Sequence, residues 1–224
     1  MIPVYDKTNR YISLGSDLRV RKHGLELLLG ELKKNENKRR QGISILDLGS
    51  GPGKMTELLL NIDSNLRSTV MLDALAPMMK VAKARNKDSE GVLGVYEHIP
   101  LRDGSFDCAI AGFAIRDARN LFVALKEISR ILVNGGLFLI VDLSKPESRL
   151  KRALISVYWK AIAPLIAFLA AGRPGLKFGA LYTTVRRLPT NRELIELLQS
   201  AGFSTVYQEI EMLGGVCTLL VTKR

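Results

Sequence analysis

Gly49, Gly51 and Gly53 follow an apolar run, 43–48, at two-residue spacing, and Asp47 lies near the end of that run. Glycines placed this way let the backbone pass close beneath a ligand. The pattern is not G-x-G-x-x-G, because Lys54 takes the place of the last glycine, and no G-x-x-x-x-G-K-[ST] loop is present. Asp47 adds a negative charge that repels a pyrophosphate and welcomes a cationic amino acid. Asp73 closes a second apolar run about 20 residues beyond the loop, where a carboxylate can take both hydroxyls of a ribose. A ligand with a ribose, a positive charge and no phosphate is S-adenosylmethionine. The plainer alternative is a pair of strand-end aspartates around ordinary turn glycines.

These residues need elements to position them. Apolar runs recur at 43–48, 69–72, 92–96, 106–113 and 136–143, with helical patterns at 54–60, 77–84 and 120–132 between them. Such alternation predicts βαβ units and a parallel sheet covered on both faces. The central runs are continuously apolar, as doubly covered strands should be. Asn134-Gly135-Gly136 is expected to close the helix before the fifth strand with a left-handed glycine. Thr190 is expected to cap a helix over 191–200. Two final strands, 204–211 and 216–221, pair as a hairpin around Gly214-Gly215. The expected fold is therefore α/β, Rossmann-like and doubly wound: a mostly parallel seven-stranded sheet with a C-terminal antiparallel β-hairpin.

A chain of 224 residues, 47% of them hydrophobic, suits one domain spanning 1–224 with lids. The lids are an N-terminal one at about 1–40 and an apolar insertion at about 147–188. Cys108 and Cys217 each lie inside an apolar run, and neither they nor His23 and His98 have metal-ligand spacing. No metal is expected. The start, Met1-Ile-Pro-Val-Tyr-Asp, lacks a basic-then-apolar signal, which points to the cytoplasm. The formal charge of +11, from 33 basic and 22 acidic residues, favours an anionic partner, a nucleic acid or an acidic membrane, unless the host's proteins simply run basic. The dense basic run from Lys33-Lys34 through Lys38-Arg39-Arg40 reads as a solvated loop. Segment 153–171 is nearly long enough to span a bilayer, but Lys160 and Pro164 interrupt it. A buried lid helix, or one lying on an anionic membrane surface, fits it better than a span, and an oligomer interface, as in a homodimer, is the other use of such a patch.

The chain resembles the class I methyltransferases and, within them, the ubiquinone/menaquinone biosynthesis C-methyltransferases. The resemblance runs from Val4 to Lys223. It is carried by Tyr5-Asp6-x-x-Asn9-x-x-x-Ser13-x-Gly15, Ile99-Pro100-Leu101-x-Asp103-x-Ser105-Phe106-Asp107 and Phe113-Ala-Ile-Arg116-Asp117, the last similar to the family's F-G-L-R-N. Ala124-Leu125-x-Glu127-x-x-Arg130, Ser144-Lys145-Pro146, Ala201-Gly202-Phe203 and Gly215-Val216 continue it. The first and last of these motifs separate the chain from generic class I enzymes.

The resemblance implies carbon methylation of a prenylated quinone in its reduced form, with S-adenosylmethionine as the donor. Gly49, Ser50, Gly51 and Gly53 would lie beneath the methionine part. Asp47 would approach its amino group, directly or through water, and Asp73 would hold the ribose. Ala74 and Met78 would pack near adenine, Tyr96 and Glu97 would border it, and Ala111 would line the cleft. Arg116 is the implied catalytic residue. Its guanidinium stays protonated, so its part is to stabilise a developing phenolate or orient a water. A structural pair with Asp117 or Asp142 is the alternative. Asp117, where the family has asparagine, either serves as a base raised by burial or caps the helix beginning near Asn120. Tyr5, with Asp6 and Asn9, would close over the cofactor.

The chain departs from the family at Val95, where an acidic residue often meets adenine, and at Val20, in place of a tryptophan. It departs again at Phe178-Gly-Ala-Leu181 and at Leu220, on the acceptor side. Another lipid, phenol or amine acceptor is the second reading. RNA methylation fits poorly: 111–116 reads Ala-Gly-Phe-Ala-Ile-Arg rather than an N/D-P-P-Y motif, and neither cysteine has a nucleophile's setting. A non-enzymatic subunit that binds the cofactor only structurally is the remaining rival.

Overall fold

The computed structural model describes residues 11–13, 15–34, 42–63, 66–172 and 180–224. β1 (Ile43–Leu48) is buried at every position, as a strand covered on both faces requires. It pairs in parallel with β2 (Leu66–Asp73) and with β4 (Phe106–Gly112). β3 (Glu90–Leu93) lies outside β2 and β5 (Leu132–Leu143) outside β4, both parallel. β6 (Phe203–Glu211) and β7 (Val216–Lys223) form an antiparallel hairpin, with β7 inserted beside β5. The order is β3-β2-β1-β4-β5-β7-β6, the seven-stranded arrangement expected from the sequence. Strand order reverses between β1 and β4, and the crevice beyond their carboxyl ends is where such sheets take ligands.

Alternate residues of the strands supply the two halves of the core. Leu46, Leu48, Ala109, Ala111, Phe138 and Ile140 face α4 (Leu121–Ile131) and α8 (Asn191–Ser200). Ile45, Cys108, Ile110, Leu139 and Val141 face α1 (Ser16–Lys33) and α2 (Lys54–Ile62). α3 (Ala76–Arg85) rests on Met71 through Met79 and Ala82. α8 carries a full capping box, Thr190 with Glu193, as its sequence suggests.

Three local expectations need correction. β3 occupies 90–93 rather than 92–96, because Gly94 donates to the Asp73 carbonyl and the chain then turns back through a Val95–His98 bridge. Gly135 does have a left-handed φ of 68°, but not as a helix cap. α4 ends at Ile131, β5 begins at once, and the glycine sits in a bulge between the Phe106–Leu132 and Cys108–Leu137 pairs. The helix start near residue 120 is capped by Asn120, whose side chain accepts from the Val123 amide at 3.1 Å, and not by Asp117.

The apolar insertion is a helix over 149–171, built from α5 (Arg149–Val157), a π-turn at Tyr158–Ile162 and α6 (Ala163–Ala171). Proline has no N–H to give and its ring crowds the carbonyl four residues back. The wider π-turn, in which the Ala163 amide reaches the Tyr158 carbonyl, absorbs Pro164 without ending the helix. Of the uses left open by the sequence, a buried helix is not what forms: only Ala163 and Ala167 of 149–170 are buried, while Leu150, Leu154, Val157, Leu165 and Leu169 are exposed. Residues 149–170 are long and apolar enough to cross a membrane by length and composition, with a mean hydropathy of 1.8 in the most apolar window. α7 (Ala180–Arg187) forms the last part of the 147–188 insertion.

Candidate active site

β1 delivers Asp47 and the glycine loop to the sheet edge. Gly49, Gly51 and Gly53 all have left-handed φ, at 63°, 53° and 80°. At Gly49 a side chain is also excluded by space, since a Cβ there would collide with the Tyr96 hydroxyl. Asp47 is buried to 1% exposure. Its Oδ2 accepts from the Thr56 amide at 3.1 Å and the Thr56 hydroxyl at 2.7 Å, which ties the strand to the first turn of α2. Its Oδ1 is buried with no hydrogen-bond partner among the described residues, and so is the Ser50 hydroxyl. Burial pushes the Asp47 carboxyl up to about 6, against the pull of Thr56 and of the Arg21 charge.

Asp73 ends β2 and links two loops. Its Oδ2 accepts from the Gly51 amide and its Oδ1 from the Leu75 amide, both at 2.8 Å. Each carboxylate oxygen keeps a second lone pair, which is what a ribose diol needs. Ala74 is exposed beside it, and Met78 is half-buried in the first turn of α3. Tyr96 donates to the Ala114 carbonyl at 3.1 Å and covers the loop. Its phenol is pushed well above the usual range by burial, then by the charges of Asp117, Asp142 and Asp73.

An unpartnered buried carboxylate oxygen, an unpartnered buried hydroxyl, and open space above Gly51 are the features a zwitterionic amino-acid end requires. The residues present fit S-adenosylmethionine. Two expected contacts have other partners in the structure. Glu97 accepts on Oε1 from the Arg119 and Asn120 amides, at 2.6 and 2.9 Å, and so fixes the start of α4. The Ala111 side chain is fully buried in the core cluster on the α4 face, which leaves its backbone alone to face a ligand.

β4 continues into Phe113, at a left-handed φ of 55°, and a 3₁₀ turn, Ile115–Asp117. The turn brings Arg116 to Asp142 of β5: Nη1 donates to Oδ1 at 2.9 Å and the Arg116 amide to Oδ2 at 3.2 Å. Both side chains are buried, at 7% and 2% exposure. The Arg116–Asp142 pair weighed in the sequence thus exists. Asp117 lies 4.0 Å from Arg116 Nε with most of its side chain in solvent. Its carboxyl is raised, by burial first and then by Asp142 and Asp73, against Arg116, and the surrounding water limits that push. Tyr5, Asp6, Asn9 and Phe178 lie outside the described residues.

Arg116 opens onto an apolar cavity of about 460 Å³ between α1, the end of β4, the insertion helix and the β6–β7 link. Phe113, Leu154, Tyr158, Trp159 and Leu213 make much of its wall. Tyr158 and Trp159 meet edge to face with ring centroids 5.4 Å apart. Arg21 of α1 also lines this cavity. Its Nη1 donates to the Gly112 carbonyl at 3.1 Å, and its guanidinium lies 4.8 Å over the Phe113 ring. Sequence reasoning missed Arg21, although a signal was there: it stands in the helical stripe of Leu25, Leu28 and Leu32, an arginine where the other members are core residues.

The glycine loop with Asp47 and Asp73 thus lies at the carboxyl ends of β1 and β2, beside an apolar cavity at the ends of β4 and β5. The ubiE/COQ5 methyltransferase family matches residues 2–223. A demethylmenaquinone methyltransferase of Thermotoga maritima is 30% identical over 207 residues, 92% of this chain and 86% of that protein. The ubiquinone/menaquinone biosynthesis C-methyltransferase of Rubrivivax gelatinosus is 31% identical over 183 residues, 81% of this chain and 71% of its own. A SAM-dependent methyltransferase of Aquifex aeolicus shares the fold, with a TM-score of 0.57 at 17% identity over 82% of this chain and 83% of that one. The chain is an S-adenosylmethionine-dependent methyltransferase, and it belongs to the ubiE/COQ5 methyltransferase family.

Proposed function

We propose that the chain methylates a ring carbon of a prenylated hydroquinone of the demethylmenaquinone class. The observation that carries this is the apolar cavity with Arg116, paired to the buried Asp142, on its wall, in a chain whose relatives bear that name. A hydroquinone ring with a polyprenyl tail needs an apolar enclosure and one polar group at its hydroxyl.

When bound, the donor supplies a methyl group on a positively charged sulfur. The chain's residues do the rest. Asp47, Ser50 and the glycine loop hold the methionine end, Asp73 the ribose, and Ala74 and Met78 the adenine side. Arg116 stays protonated and stabilises the phenolate that makes the neighbouring ring carbon nucleophilic. Asp142 fixes the direction of that guanidinium. Asp117, exposed beside it, passes the released proton to solvent. Methyl transfer asks for alignment more than for covalent help, so positioning carries most of the rate. In this reading residues 1–40, Tyr5 included, and 147–188 close over the two ligands.

The exposed leucine ridge of 149–171, with Arg149, Lys151 and Arg152 at its start, lies against the surface of a cytoplasmic, anionic membrane. Leu154 both lines the cavity and is exposed on this ridge, so an apolar acceptor would pass from bilayer to site without crossing water. Binding to acidic vesicles should fall steeply with salt; salt-independent binding, or none, rejects the placement. A homodimer burying the same ridge is the competing outcome, read by light scattering.

Labelled S-adenosylmethionine, incubated with the protein and a reduced demethylmenaquinone in detergent, tests the reaction, with bulk RNA in a parallel tube. Label is expected in the quinone. Label in RNA, or in a different phenol offered alongside and not in the quinone, overturns the acceptor. Tight donor binding with no transfer to any acceptor favours the non-enzymatic subunit.

A further inference from the structure

We propose that Arg21 holds the carboxylate of the donor's methionine end, as the cationic half of a site whose anionic half is Asp47. The proposal rests on placing that end at the glycine loop. An amino acid carries its ammonium and its carboxylate on one carbon, so a site for it needs a fixed anion and a fixed cation facing the same small volume.

Asp47 presents a buried Oδ1 with no partner among the described residues, at the carboxyl end of β1. Arg21 reaches the carboxyl end of the next strand, β4, on the other side of the switch in strand order, where it donates to the Gly112 carbonyl. The two side chains act on each other electrostatically, since the Arg21 charge offsets part of the burial that raises the Asp47 carboxyl.

The approach of Arg21 is built into the fold. A Cβ at residue 112 would collide with Arg21 Nη1 and come within 2.9 Å of Met55 Sδ, so glycine there leaves the guanidinium its place. Phe113, lying beneath the guanidinium, holds its plane. Met55 Sδ, in the first turn after the glycine loop, lies 3.7 Å from Nη1 and puts the cation at the loop's own helix. Arg116 is held instead at the ends of β4 and β5, where Asp142 accepts from its Nη1 and its backbone amide. A guanidinium can meet a carboxylate with two parallel hydrogen bonds, which sets orientation as well as affinity. Orientation of the methionine end aims the methyl group at the cavity that Arg21 also lines.

The test is calorimetric and needs no turnover. S-adenosylhomocysteine and its decarboxylated analogue are titrated into the native protein, Arg21→Gln and Arg21→Met, with 5′-methylthioadenosine as a control for the adenosine end. The native protein should bind the decarboxylated ligand roughly 10- to 100-fold more weakly, the range of a hydrogen bond between charged groups. Both variants should bind the two ligands within about threefold of each other while binding methylthioadenosine as the native protein does. Arg21→Lys, which keeps the charge and loses the fork, should retain part of the gap, and it decides the matter if the neutral variants fail to fold. Equal affinity of the native protein for both ligands overturns the proposal, and so does an undiminished gap in the variants. Failure of the native protein to bind S-adenosylhomocysteine at all overturns the donor assignment itself.

Discussion

The two halves of the site are held by different physics. In the donor half, Asp73 joins the ends of two loops through two amide bonds, Asp47 joins β1 to α2, and Tyr96 closes over Gly49. These contacts are polar and tie short loops together at the sheet edge. In the acceptor half, a mostly exposed helix and a short link cover an apolar cavity, whose polar lining includes Arg21 and the buried, Asp142-paired Arg116. The donor is the same molecule for every methyltransferase of this kind, so its half can be rigid. Under the proposed function the acceptor half admits a long apolar molecule, and elements with little buried area open at low cost.

The largest expected effect is at the polar point of the acceptor half. Arg116→Ala should lower turnover by about 10²- to 10³-fold, the range for losing a donor that meets developing charge. Affinity for S-adenosylhomocysteine should change less than threefold. It should also destabilise the fold, because Asp142 is left buried without its cation, a loss on the order of 3–5 kcal/mol. Arg116→Lys separates the two effects by keeping a charge beside Asp142. If turnover and donor affinity fall together in either variant, the two halves are not separable and Arg116 belongs to both.

Gly49→Ala strikes the donor half in the same way. It combines a φ of 63° with a collision at the Tyr96 hydroxyl. Strain of this kind costs roughly 1–3 kcal/mol, before Tyr96 has moved. Donor affinity should fall by at least tenfold, with acceptor binding unchanged, as measured by quenching of Trp159 in the cavity wall. A Gly49→Ala variant that binds S-adenosylhomocysteine normally would show that the loop is not the donor's seat.

Asp47 gives the comparison a pH axis. Its carboxyl titrates near 6 in the fold against 3.8 in the unfolded chain, raised by burial. A raised acid favours the fold in its protonated form. Its contribution is therefore complete below pH 4 and is lost as pH rises through about 6, on the order of 3 kcal/mol in all. Donor binding runs the opposite way, because the ammonium needs the carboxylate. Affinity for S-adenosylhomocysteine should be level above pH 7 and decline below 6, while stability of the ligand-free protein rises over the same interval. Asp47→Asn should flatten both curves. A decline in affinity that persists in the variant assigns it to another group.

The sequence made these halves unequally legible. The strands buried on both faces are plain because β1 is apolar but for Ser44 and Asp47. The glycine loop was plain because backbone conformation leaves a mark on residue type. β3 was misplaced because its residues are half-exposed and its end is set by a bond from Gly94 to Asp73, which no local pattern records. Glu97 was read by neighbourhood, and its partners lie 22 and 23 residues away on the α4 side. Arg21 was passed over because its function depends on Gly112, on the other side of the chain's first crossover. The insertion stays open in the sequence between a buried lid, a membrane-surface helix and a subunit interface, because composition cannot say whether an apolar face meets protein or lipid.

That last ambiguity yields the smallest and most selective prediction. Leu165 and Leu169 are exposed, at 58% and 76%, and line the face of α6 away from the core. Leu165→Gln and Leu169→Gln remove apolar surface without changing charge. Each should shift stability by less than about 0.5 kcal/mol, as surface substitutions do. Each should also leave turnover on a short-tailed, detergent-soluble hydroquinone unaltered. Binding to acidic vesicles should weaken by about tenfold per leucine, because burying that side chain in lipid contributes at least ~1.5 kcal/mol. The pattern separates three uses of one ridge. Loss of vesicle binding alone marks a membrane face. A fall from dimer to monomer in light scattering marks a subunit interface. A large loss of thermal stability would mean that the ridge is covered by the protein itself, and the acceptor half would then be as firmly built as the donor half.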